Sequence, residues 1–192
     1  MGFKSNKRKP IVIIEHKEDI SSNFEGTIID IETIGEFLNQ YHDSRRYKDI
    51  RLVIFGFINR RGLHISCAKG IEAITELRET TKNILNSLER PFYAFNSEFE
   101  RSVLFYELGM QIDFDGELQE GHESKANVRN YLGIPNYNDP FDDNGYRCMT
   151  AWLKGDFSAA IAHNRACLLK ERDILIKRRF RKPDDLKFVP EQ

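Results

Sequence analysis

The sequence predicts an α/β protein, a mixed β-sheet flanked by helices. Three observations carry this. Strand-like runs crowd the first 70 residues, helix and strand signals then alternate to about residue 118, and helical spacing takes over from Glu123. The early strands are "PIVIIEH", "GTIIDIET", "RLVIFGFIN" and "GLHISCA", and the turn around Arg60, Arg61 and Gly62 joins the last two as a hairpin. Residues 71–89 carry Ile71, Ile74, Leu77, Ile84, Leu85 and Leu88 at helical spacing, and Pro91 ends that run. "FYAFN" follows as a short buried strand, then a helix from about Glu98 to Leu108 closed by Gly109. "QIDFDGEL" reads as a further strand and "ESKANVRNYLG" as a helix stopped at Gly133-Ile134-Pro135. The polar, turn-rich "NYNDPFDDNGYR" is expected to be a surface loop. "CMTAWLKG" is a short helix ended by Gly155, and the last long helix spans about Asp156 to Arg179, with Asp156 or Ser158 as its cap.

At 192 residues the chain suits one domain, expected over 1–192 with loose tails at 1–10 and 182–192. A formal charge of −1, from 29 basic and 30 acidic residues, excludes a generally basic nucleic-acid coat but leaves room for a local basic groove. No apolar run is long enough to cross a bilayer, and the basic start is followed only by "IVII", too short for the core of a secretory signal. Cys67, Cys148 and Cys167 lie far apart without a CxxC pair, which argues against a zinc ribbon or a disulfide scaffold. A reducing cytoplasm is the expected compartment.

Two acids stand among the isoleucines of "EGTIIDIETIGEF". Alternation along a strand puts Ile28, Asp30 and Glu32 on one face, with the carboxylates roughly 6–7 Å apart. A solvated strand face would account for the alternation alone. A central strand would not, because adjacent buried carboxylates need a counter-charge, and a divalent cation supplies one through carboxylate oxygens. A second group opens the helix after "FYAFN", with Glu98 and Glu100 in its first turn. Ser97 followed by Glu100 also fits a capping box, and Asn96 a turn. On the last helix His163, Cys167 and Glu171 fall four apart, in one row.

Together these motifs resemble the DEDD exonucleases of the ribonuclease H-like superfamily. "DIET" at 30–33 matches the Asp-x-Glu that opens the family's motif set. "NSEFE" at 96–100 resembles Asn-x-x-Phe-Asp, with Glu100 where Asp is usual. "AWLKGDFSAAIAHNRAC" is similar to the Gly-Asp and Tyr-Asn-x-x-Asp layout of the predicted ribonuclease H-like exonucleases, with His163 for Tyr and Cys167 for Asp. The likeness spans roughly residues 25–178. It implies a ribonuclease H-like fold, antiparallel strands first and parallel strands after. It also implies a metal-dependent 3′–5′ exonuclease that hydrolyses phosphodiester bonds at a single-stranded 3′ end of DNA or RNA, using two Mg²⁺ or Mn²⁺ ions.

On that resemblance Asp30, Glu32 and Glu100 are the expected metal ligands, and His163 the base that takes a proton from the attacking water. Asn96 and Phe99 are expected to hold the terminal nucleotide. Cys167 departs from the pattern, since a neutral thiol suits Mg²⁺ poorly. Glu171, one turn further along the same face, is taken as the replacement ligand, and Cys167 itself is the competing choice. If neither binds, three acids remain, and the alternative is a weakened or inactive domain that binds nucleic acid or a protein partner. An endonuclease on the same fold is a third reading. The basic run "KRRFRK" at 177–182 would either follow a nucleic-acid backbone, with Phe180 as a stacking face, or be a solvated helix end.

Overall fold

The computed structural model describes residues 12–190. Its strands are β1 (Ile13–Glu18), β2 (Thr27–Ile34), β3 (Arg51–Asn59), β4 (Gly62–Ala68), β5 (Phe92–Ala94) and β6 (Gly116–Glu117). Its helices are α1 (Ile74–Leu85), α2 (Ser97–Leu108), α3 (Lys125–Tyr131), α4 (Gly145–Leu153) and α5 (Phe157–Arg178). The strands form one sheet in the order β1-β4-β3-β2-β5-β6. β1 to β4 pair antiparallel, whereas β5 runs parallel to β2 and β6 parallel to β5. This is the mixed α/β architecture that the order of signals predicted.

β2 lies inside the sheet, and every residue from Thr27 to Glu32 is buried. Burial on both faces requires a layer of helices on each side. α5 crosses β2, β3 and β4 on the face where Asp30 pairs with Gly56, and α4 packs beside it. α1 and α2 pack on each other and on β3, and cover the other face. The core between them is built mainly from Ile28, Ile29, Leu52, Ile54, Phe55, Ile58, Leu77, Leu104 and Leu168.

Gly56 interrupts an otherwise apolar strand for a steric reason. A Cβ there would collide with Oδ1 of Asn164 and come within 3.0 Å of Leu168 Cδ1, so the bare backbone lets α5 approach the sheet. Gly56→Ala is therefore expected to lower stability by about 1–3 kcal/mol, the usual cost of overpacking, measured as a shift in the urea midpoint. An unchanged midpoint would mean that α5 moves away freely.

Several elements are shorter than the sequence suggests. The run from Ile71 begins as a 3₁₀ turn, Ile71–Ala73, before α1. "QIDFDGEL" shrinks to the two residues of β6, because the Asp115 carboxylate takes the backbone N–H of Phe92 at 2.7 Å and replaces a ladder contact. α5 is capped by Asp156, whose carboxylate accepts from Ala159 N at 3.1 Å. α2 ends at Gly109 in the left-handed region, φ 66°.

Of the two expected tails, 1–10 and residues 191–192 lie outside the described residues. Residues 182–190 are tied down. Asp184 O accepts from Arg101 Nη1 at 2.8 Å, Val189 O from Tyr106 OH at 2.7 Å, and Phe188 stacks on Phe105. Just before them, Arg181 forms an antiparallel bridge with Glu117, with both backbone hydrogen bonds made, along the outer side of β6.

Candidate metal-binding site

The acids of β2 meet α5 at the middle of the sheet. Asp30 Oδ2 accepts from Asn164 Nδ2 at 2.7 Å, and Asp30 Oδ1 accepts from Lys125 Nζ at 3.1 Å. The same ammonium donates to Glu171 Oε1 at 2.5 Å. The counter-charge between Asp30 and Glu171 is thus a lysine carried by α3, whose N-cap Ser124 accepts from Asn127 N. Burial opposes the charge on Lys125, but Asp30, Cys167 and Glu171 outweigh it and hold its pKa well above the usual lysine value.

Glu100 is buried in the first turn of α2. The capping-box alternative does not hold, since Asn96 is the cap and accepts from Phe99 N, while Ser97 Oγ donates to Glu117. Oε2 of Glu100 and Oε2 of Glu171 are buried with no hydrogen-bond partner among the described residues. Such atoms are costly to leave unsatisfied. Burial first, and then the neighbouring Asp30, hold the Glu100 carboxyl well above the ordinary range. Glu171 is raised likewise by burial, with Lys125 opposing and Asp30 reinforcing. Glu32 is pushed up to about 7 by burial, against the pull of His163, and with Asp30 adding.

These shifts have one sign. Glu32 and Glu100 keep their protons in the fold after the unfolded chain, at 4.5, has released them, so their stabilising effect is lost as pH rises through the folded value. In chelator, the thermal midpoint is expected to fall from about pH 5 to about pH 7, and an added dication to flatten that fall. Scanning calorimetry at fixed ionic strength checks this, and a midpoint rising over that range would show the acids ionised in the fold.

His163 is 2 % exposed, with Nδ1 on Asp139 Oδ1 at 2.7 Å and Nε2 at 3.7 Å from Glu32 Oε1. Burial opposes its charge, but Cys167, Glu32 and Asp139 together push its pKa up to about 12. These neighbours favour the protonated ring, which opposes the expected role of a base near neutral pH, whereas a dication among the same acids would favour the neutral ring. Cys167 lies one turn along, its Sγ 3.8 Å from His163 Nε2.

The two expected substrate contacts face different clefts. Phe99 lines one of about 550 Å³ that opens beside Glu32 and also carries Phe37, Tyr146 and Met149. Asn96 lines another, of about 570 Å³, with Arg101, Glu117 and Gln119. The basic run is largely engaged within the fold. Arg178 pairs with Glu123, Arg181 with Glu117 and Asp184, and Phe180 packs on Tyr93 with ring centroids 5.0 Å apart. Phe180 nevertheless stays about half exposed, its ring tilted against Tyr93.

Sequence reasoning missed five participants: Lys125, Asp139, Cys148, Asn164 and Lys170. Asp139 belongs to the stretch expected to be a surface loop, yet it is buried and accepts from Lys170 Nζ at 2.7 Å. The available sign was the spacing of Lys170, which falls on one helical face with His163, Cys167 and Ile174, where a buried lysine needs an acid. Asn164 was signalled by Gly56.

Glu100 and Glu171 lie within electrostatic reach of Asp30, and each has one carboxylate oxygen without a hydrogen-bond partner among the described residues. Among the described residues no helix is long and apolar enough to cross a membrane. Compared with known proteins, the chain matches no family model, no curated protein and no solved structure.

Proposed function

We propose that the chain is a metal-dependent phosphodiester hydrolase with a ribonuclease H-like fold, working as a 3′–5′ exonuclease on DNA or RNA. One observation carries the reading: Glu32, Glu100 and Glu171, from three segments distant in sequence, are all buried and all within electrostatic reach of Asp30 on the central strand. The strand order supports it, since three antiparallel pairings followed by two parallel ones set the Asp-x-Glu strand in the middle.

Asp30, Glu32, Glu100 and Glu171 would hold Mg²⁺ or Mn²⁺. Bound there, the dications would supply a nucleophilic water at neutral pH and stabilisation of the leaving 3′-oxygen. The remaining steps belong to the chain. Asn164 fixes the orientation of Asp30 through its 2.7 Å hydrogen bond. His163 faces Glu32 from α5, its Nε2 3.7 Å from Glu32 Oε1 and its Nδ1 on Asp139, which fixes the ring beside the acids. Phe99, Phe37 and Tyr146 offer aromatic faces to a terminal base within the cleft that opens at Glu32.

A 5′-labelled single strand incubated with Mn²⁺ or Mg²⁺ is expected to shorten stepwise from its 3′ end, with no cleavage in chelator and none of a circular strand. A second reading has its own support, because Lys125 already bridges Asp30 and Glu171 and Cys167 replaces an acid. On that reading the domain binds nucleic acid without cutting it. Salt-dependent binding without shortening in either metal would select it, and absence of both would remove both readings.

A further inference from the structure

Cys148 and His163 take no part in the four-carboxylate set. Cys148, on α4, is fully buried, and α4 packs against α5 so that Cys148 and His163 reach Glu32 together. One sulfur, one ring nitrogen and one carboxylate oxygen from these three residues lie within 4.8 Å of one another. His163 Nε2 stands 3.7 Å from Glu32 Oε1 and 3.8 Å from Cys167 Sγ. Bonds of about 2.0–2.1 Å to nitrogen and oxygen and 2.3 Å to sulfur place tetrahedral zinc ligands about 3.3–3.6 Å apart. A contraction of a few tenths of an ångström at those two contacts would bring them to that spacing.

The other ring nitrogen is an independent observation. Nδ1 faces the Asp139 carboxylate, which is itself held by Lys170 Nζ at 2.7 Å and by the backbone N–H groups of Phe141 and Asp143, each at 2.9 Å. A carboxylate behind the ring is what metal-bound histidines generally have, because it fixes the Nδ1–H tautomer and turns Nε2 toward the ion. Cys148 Sγ makes a 3.8 Å contact to Ala160 O and a side-chain hydrogen bond with the Glu32 carboxylate.

We propose that Glu32, Cys148 and His163 form a metal site for a borderline-soft transition dication, Zn²⁺ above all, beside the carboxylate set. Thiolate and imidazole favour such an ion over Mg²⁺. Three protein ligands leave a fourth position for water or another donor, and Cys167 Sγ stands 3.8 Å from His163 Nε2. The site goes beyond the nuclease reading, sharing Glu32 with it, and stands whether or not the chain cuts phosphodiesters.

Reduced, metal-free protein titrated with Co²⁺ is expected to bind one ion with a strong thiolate-to-cobalt absorption, displaced by Zn²⁺ but not by excess Mg²⁺. X-ray absorption of the zinc-loaded wild type is expected to show sulfur at about 2.3 Å. Cys148→Ser should weaken Zn²⁺ binding at least about tenfold and diminish the cobalt band, whereas Cys67→Ser, outside the cluster, should change neither. Coordination by nitrogen and oxygen alone in the wild type, or a cobalt spectrum indifferent to Cys148→Ser, overturns the proposal. Neither readout needs cleavage, so a failed shortening assay leaves this result intact, and cleavage in Mg²⁺ does not rescue a site without sulfur.

Discussion

Asp30→Asn is expected to lower metal-dependent strand shortening by about 10³-fold, the scale on which a single electrostatic group acts in a preorganised site, while leaving the fold as stable as before. The two halves of this expectation have different causes. Asp30 is bonded to both Lys125 and Asn164 and acts electrostatically on Glu32, Glu100 and Glu171 alike, so losing its charge removes the ligand that links the β2 and α5 sides. The neutral amide nevertheless fits. Oδ1 of Asn164 has no partner among the described residues, so an amide flip lets it accept from the new side chain, whose own carbonyl oxygen can still receive the Lys125 ammonium. Removing one like charge also relieves Glu100, Glu32 and Glu171, each of whose carboxyls Asp30 pushes upward. Activity and thermal midpoint should therefore separate at pH 7. If both fall together, Asp30 is a structural residue and the nuclease reading loses its central ligand.

Lys170→Met is expected to cost about 3–5 kcal/mol in urea unfolding, the range for removing one partner of a buried ion pair. Lys170 is fully buried, and its ammonium donates to Asp139 Oδ2 at 2.7 Å and Asp143 Oδ1 at 2.6 Å. Methionine fills much of the same volume, so the loss is electrostatic: both carboxylates lose a buried cation, and among the described residues Asp143 keeps only Arg129, at 3.5 Å. Asp139 also accepts from His163, which ties this pair to the orientation of the ring. A loss below about 1 kcal/mol would place the pair in the weak class of solvated surface bridges.

The sequence disclosed the sheet better than the site. "GTIIDIET" disclosed a central strand because its isoleucines occupy both faces, and it proved to lie between β3 and β5. Asp156 and Gly109 disclosed their helix ends, because caps are local events. Lys125 gave no such sign. A lysine on a seven-residue helix reads as solvated, and only the return of the chain from residue 118 brings it over Asp30. Asp139 was hidden by its neighbours, since proline, asparagines and acids around it describe an exposed turn whichever single member is buried. Cys148 and His163 lie on separate helices whose packing no periodicity within either one reveals. Ser97 misled for the opposite reason: its spacing to Glu100 was ideal for a cap, but the adjacent Asn96 took the position.

The Arg181 bridge has a bearing on how this sheet meets other molecules. Open strand edges act as templates for further pairing, and each end of a sheet must be blunted by charge or cover. β1 exposes Glu15 and Lys17 at one end. At the other, the backbone of Arg181 already fills the hydrogen bonds of Glu117, and residues 182–190 are fastened along α2 behind it. A strand arriving from a neighbour finds that border closed, and growth of the sheet into an aggregate would first require peeling the C-terminal run away.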